Sequence, residues 1–152
     1  MAGVSYTLEA PELARAIERL GLTARLVGYH GEDLTEIAAS VAESAARRRI
    51  ETDKAAPDGT PWATWSDEYG KTRHLGQTIL MAEGDLLKSL AAEYDPTEAR
   101  VGSNLKIAAI HQLGGDPDQG HPPIPARPFL GLSDDDATDL ETSLRDFLEG
   151  LL

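Results

Sequence analysis

The sequence predicts an α+β fold: a small antiparallel β-sheet packed with N-terminal helices and a C-terminal amphipathic helix. Three observations point there. Apolar residues between Asp33 and Ile50 recur with the helical period of 3.6. Two short alternating runs flank Asp95-Pro96, as in a β-hairpin. A second periodic stripe follows Ser133-Asp134-Asp135-Asp136 near the end of the chain. With 152 residues, 41% hydrophobic and only 5% aromatic, the chain is expected to form one domain, residues 1–152, with a core of Leu, Ile, Val and Ala.

The first expected element is a short amphipathic helix. Leu13, Ile17 and Leu20 share one face, Pro11 suits its first turn and Gly21 its stop. From Asp33 to Ile50, Leu34, Ile37, Val41, Ala45 and Arg48 follow the helical period, with alanines beside them. Acids at Glu32, Asp33 and Glu36 and bases at Arg47 to Arg49 complement the helix dipole, so the arginines are expected on a solvated face. An acidic partner is the other reading of that cluster.

Pro57-Asp58-Gly59 then marks a turn, because Pro presets φ, Asp bonds locally and Gly accepts positive φ. Trp62 and Trp65 follow it, either as loop anchors or as interface residues. Asp67 to Gly84 carries no clear pattern. The sheet is expected near Leu86 to Ser103, with Leu90, Ala92 and Tyr94 on one strand and Ala99 to Gly102 on its partner. Leu105 to Leu113 predicts a short helix whose apolar side is Ile107, Ile110 and Leu113.

After a Gly/Pro loop from Asp116 to Pro128, Ser133 is a good N-cap, and Asp134 to Asp136 fill the anion-favouring first turn. Ala137, Leu140, Leu144, Phe147, Leu148 and Leu151 form the last apolar stripe. Phe129 and Leu130 are expected to close the core beneath it.

Composition narrows the function classes. Without cysteine there are no disulfides, thiol nucleophiles or Cys-based metal sites. No signal peptide or membrane-spanning run is found, so a soluble protein is expected. A net charge of −12 disfavours specific nucleic-acid binding. From Ser133 onward seven acids stand against Arg145 alone, which makes the final helix the acidic pole.

Chemistry-bearing patterns are sparse. His30, His74, His111 and His121 lack metal-ligand spacing, and no phosphate loop or nucleophile elbow occurs. A small metal-dependent hydrolase using His111 and His121, with Asp116 and Asp118, is the rival reading, and a generic adaptor or chaperone is another. The residues favour an interaction protein with no catalytic activity and no cofactor. Trp62, Trp65, Phe129 and Leu130 lie in loops next to prolines, which lower the entropy lost on docking.

Five segments in order carry a resemblance. They are Pro57-Asp58-Gly59-Thr60-Pro61-Trp62, Gly84 to Leu90, Val101-Gly102-Ser103-Asn104, Ile110-His111-Gln112-Leu113-Gly114, and Ile124-Pro125-Ala126-Arg127-Pro128-Phe129-Leu130-Gly131-Leu132-Ser133. From about Leu34 to Leu152 the chain resembles the phage virion morphogenesis, or tail-completion, family of contractile-tailed phages and prophages. It departs from that pattern at Lys106-Ile107-Ala108 and in the loop Asp116 to Pro123.

The resemblance implies a structural protein of the virion, present in the host cytoplasm during assembly. Its implied partners are other tail or neck proteins and, in the assembled particle, further copies of itself in a ring that DNA can pass through; alone, such proteins can be monomeric, and no membrane partner is implied. It directs attention to Trp62, Trp65, His111, Gln112, Arg127, Pro128, Phe129 and Leu130 as interface or structural residues. Arg127, between prolines, can form a bidentate contact with a carboxylate, in its own chain or a neighbour's.

Overall fold

The computed structural model describes residues 3–8, 15, 18, 20–21 and 24–151. The helix expected between Pro11 and Gly21 lies mostly outside the described residues. Its predicted stop does not, because Gly21 adopts a positive φ of 66° and its N–H donates to Glu18 O.

The long helix α1, Ala24–Arg48, runs directly into one π-helical turn, Arg49–Asp53. It begins nine residues before the expected Asp33, since the helix continues back across a kink at His30 (φ −120°, ψ 21°). Gly28 and Gly31 flank that kink, and glycine's poor helix propensity hides the first segment from periodicity. Gly31 has a packing reason, because a Cβ there would lie 2.7 Å from Pro96 O. Thr35 Oγ1 donates to Asp95 O at 2.5 Å across the same contact.

The buried face of α1 is largely alanine: Leu34, Ala38, Ala39, Ala42, Ala45 and Ala46, then Ile50. The larger Ile37 and Val41, expected at its centre, are only partly buried. Small side chains let the helix axis approach the sheet and the last helix closely.

That sheet has three antiparallel strands in the order β1-β3-β2, with β1 Val4–Leu8, β2 Leu90–Tyr94 and β3 Ala99–Ser103. β1 was not foreseen, and it pairs along the free side of β3 with Val4 opposite Ser103. Gly102 makes this pairing possible, since a Cβ there would collide with Val4 O and stand 2.8 Å from Ser5 Cα. The hairpin forms where its turn residues predicted. Asp95 Oδ1 accepts from Thr97 N and Glu98 N at 2.7 and 3.0 Å. Ahead of it, Asp85–Ser89 is a short helix and not strand, so the hairpin begins at Leu90.

Two further helices precede and follow the hairpin region, numbered in chain order as α2, Asp67–Lys71, and α4, Lys106–Leu113, with Asp85–Ser89 as α3. α4 turns a different side inward than predicted. Ala108 is fully buried, while Ile107 and Leu113 are exposed. Its short side chain again wins the closest approach. The final helix α5, Asp134–Gly150, starts at Ser133 with a complete capping box to Asp136, and Leu140 and Leu144 are buried. One apolar cluster joins α1, the hairpin, Trp62, Phe129 and α5. No helix of the described residues is long and apolar enough to cross a membrane.

Candidate interaction surface

Seven of the eight residues singled out by sequence converge on the segment from Arg127 to Leu130. Phe129 is 0% exposed and Leu130 is buried. Extended backbone entering a core needs partners for its N–H groups. Gln112, the residue before Leu113 on α4, supplies them, as its Oε1 accepts from both Phe129 N and Leu130 N at 3.0 Å. His111 O accepts from Arg127 N at 2.6 Å. Trp62 fills the core, and its indole Nε1 donates to Pro128 O at 2.9 Å. Pro128 thereby locks the turn loop to the segment. Gly131 completes the junction with φ 132°, where a Cβ would lie 2.9 Å from Pro57.

Among the described residues of its own chain, Arg127 meets no carboxylate. It is buried, and its Nε and Nη2 donate to Ala63 O and Thr64 O at 2.8 and 3.0 Å. Planar guanidinium geometry suits two successive carbonyls as well as it suits an acid. Burial lowers the Arg127 pKa, with Tyr69 acting in the opposite direction. The His111 ring is likewise held below its ordinary pKa by burial and then by the Arg127 charge. Its buried Nδ1 has no hydrogen-bond partner.

The arginine cluster at the end of α1 is not a solvated face. Arg49 is 3% exposed and pairs with Asp136, which is 1% exposed, and its Nη1 also donates to Gly131 O at 2.8 Å. Arg48 reaches the other oxygen of Asp136 at 2.6 Å. Arg47 caps Leu87 O and Leu90 O, both at 3.1 Å, while holding Glu43. Burial pushes the Asp136 carboxyl up, but the Ser133 N–H, Arg48 and Arg49 outweigh it and hold the carboxyl below its ordinary value. Sequence reasoning missed this network. One signal for it was present, since Arg49 extends the stripe Leu34, Ala38, Ala42, Ala45 by one more step of four.

Trp65 stands apart from the other seven. It is half-buried, with its ring edge-on to Tyr69 at 6.1 Å, and Arg73 lies 4.2 Å over the Tyr69 ring. These residues line an apolar cleft of about 840 Å³ that also receives His111 and Arg127. Two non-glycine residues in its wall, Leu80 and Ala82, hold positive φ values of 61° and 33°. Such outliers concentrate at functional surfaces. His121 is exposed, and among the described residues no three His, Asp or Glu side chains are grouped to hold a metal.

Replacing Gln112 by leucine tests the bracket. Phe129 N and Leu130 N would lose their acceptor in a partly buried setting, at a cost of about 1–3 kcal/mol. A urea unfolding midpoint equal to that of the parent chain would show that water serves them equally well.

The model of the phage virion morphogenesis family matches residues 9–149. The putative capsid assembly protein G of Escherichia phage Mu is 29% identical over 135 residues, covering 85% of this chain and 83% of that protein. The Mu-like prophage FluMu G protein 2 of Haemophilus influenzae is 33% identical over 145 residues, covering 94% of each chain. The FluMu G protein 1 of the same organism is 30% identical over 119 residues, covering 75% and 77%. No solved structure matches.

Proposed function

The chain belongs to the phage virion morphogenesis family, and from that premise we propose that it completes tails or joins tails to heads. It acts by protein–protein contacts, with tail or neck proteins as partners and with copies of itself in a ring. The virion is its destination and the host cytoplasm its place of assembly. The observation that carries this reading is the family match across nearly the whole chain, together with a phage Mu relative described as a putative capsid assembly protein.

Physical features support it. The described surface has an apolar cleft and exposed apolar side chains on α4, which suit protein contacts. The acidic face of α5 would repel DNA phosphates, so a ring lined by it would let DNA pass without sticking.

Deleting the gene from an inducible phage or prophage tests the role. Electron microscopy should then show separate heads and unfinished tails, and supplying the chain in trans should restore joined particles. Normal joined particles in the deletion would remove the role.

A further inference from the structure

Among the described residues, His111 Nδ1 is the buried side-chain polar atom without a hydrogen-bond partner, and its ring lines the cleft beside Trp65. Unmet polar atoms of this kind are rare in folded proteins. What the defect costs depends on the charge of the ring. A neutral imidazole carries one proton, whereas an imidazolium carries one on each nitrogen. Protonation would therefore leave a charged Nδ1–H buried with no acceptor, which is the expensive case.

The surroundings add to that cost. The titratable and charged groups that line the cleft with His111 are Tyr69, Arg73, Glu83, Asp85 and Arg127. Arg127 is the one whose charge acts on the ring. Its backbone cannot retreat, because Arg127 N donates to His111 O at 2.6 Å and the adjoining Pro128 O accepts from Trp62 Nε1. The guanidinium is the part that can move. Its partners are two neutral carbonyls, Ala63 O and Thr64 O, and no carboxylate holds it there.

We propose that His111 is an acid-sensitive latch on Arg127: the neutral ring leaves the guanidinium seated on Ala63 O and Thr64 O, and the protonated ring drives it off them and opens the Trp65 side of the cleft. The direction follows from linkage. With Arg127 seated, burial and then the Arg127 charge hold the ring below its ordinary pKa. With Arg127 released, both causes weaken and the ring returns toward its ordinary value of about 6.5. The released form binds the proton more tightly, so acidification below about pH 6.5 favours it and neutral pH favours the seated form.

Trp65 reports the step, since it follows Thr64 directly in the chain. Trp62 and Trp65 are the two tryptophans, and Trp62 is 6% exposed, so quenching by the uncharged probe acrylamide reads mainly Trp65. Between about pH 7 and about pH 5 the quenching constant should rise roughly twofold, with the far-ultraviolet circular dichroism unchanged. His111→Gln removes the titrating group and should give a flat profile. His111→Phe keeps the ring volume and should be flat as well, which covers the case of a poorly folded glutamine variant. The His111 imidazole resonances of the parent chain should titrate below about 6.5. A parent profile that stays flat would overturn the latch, as would a rise that persists in His111→Phe. Titration of the ring at or above about 6.5 would overturn it too.

Discussion

Asp136→Ala is expected to lower the unfolding free energy by about 3–5 kcal/mol, the range for removing one partner of a buried ion pair. The size comes from what is left behind. Arg49 is 3% exposed and would keep its charge with only the carbonyls of Phe129 and Gly131 as partners. Arg48 would lose its 2.6 Å contact, and Ser133 N its 2.8 Å acceptor, so the capping box opens as well. Whole domains are stable by only about 5–15 kcal/mol, so this one carboxylate decides whether the chain folds at elevated temperature. Asp136→Asn keeps an acceptor for Ser133 N while removing the charge, and the difference between the two variants separates the cap from the ion pair.

The same carboxylate sets a pH dependence with a definite sign. Its folded pKa lies below its unfolded one, so the stabilisation is fully present above the ordinary aspartate range and is lost as pH falls through the folded value. Urea midpoints measured from neutral pH downward should fall steeply only in acid, below about pH 4. That acid-limb slope should be shallower in Asp136→Asn. Equal slopes in both proteins would mean that the carboxylate is not held in the charged form.

The elements legible in sequence are those specified by near neighbours. Ser133 and Asp136 are three residues apart, and Asp95 closes its own turn, so α5 and the hairpin could be placed from local chemistry. β1 could not be placed that way. Five residues acquire their strand character from pairing with Ala99–Ser103, which lies far along the chain. The buried faces of α1 and α4 were misjudged for a related reason. Hydrophobicity ranks Ile37, Val41, Ile107 and Leu113 above alanine, but close helix packing selects Ala38, Ala42, Ala46 and Ala108. Charge misled in the same direction, because Arg49 finds its acid 87 positions later and Arg127 finds carbonyls 63 and 64 positions earlier. The candidate residues themselves stood out because loop prolines, tryptophans and Phe129 have few reasons to be adjacent unless they pack together.

Phe129→Ala should cost about 3–5 kcal/mol, and the surrounding bonds argue for the upper half of that range. The penalty for an emptied core site depends on how far its walls collapse. Here the backbone on either side is fastened: Gln112 holds Phe129 N and Leu130 N, Arg49 holds Gly131 O, and Trp62 holds Pro128 O. A segment held at four points cannot move inward to fill the space, so the cavity persists. The melting temperature should drop on the order of 10 °C for a chain of this length. Phe129→Leu, which retains most of the volume, should lose well under half as much. If alanine and leucine proved equally mild, the ring would not be a core member, and the assignment of Arg127 to Leu130 as a buried anchor would fail with it.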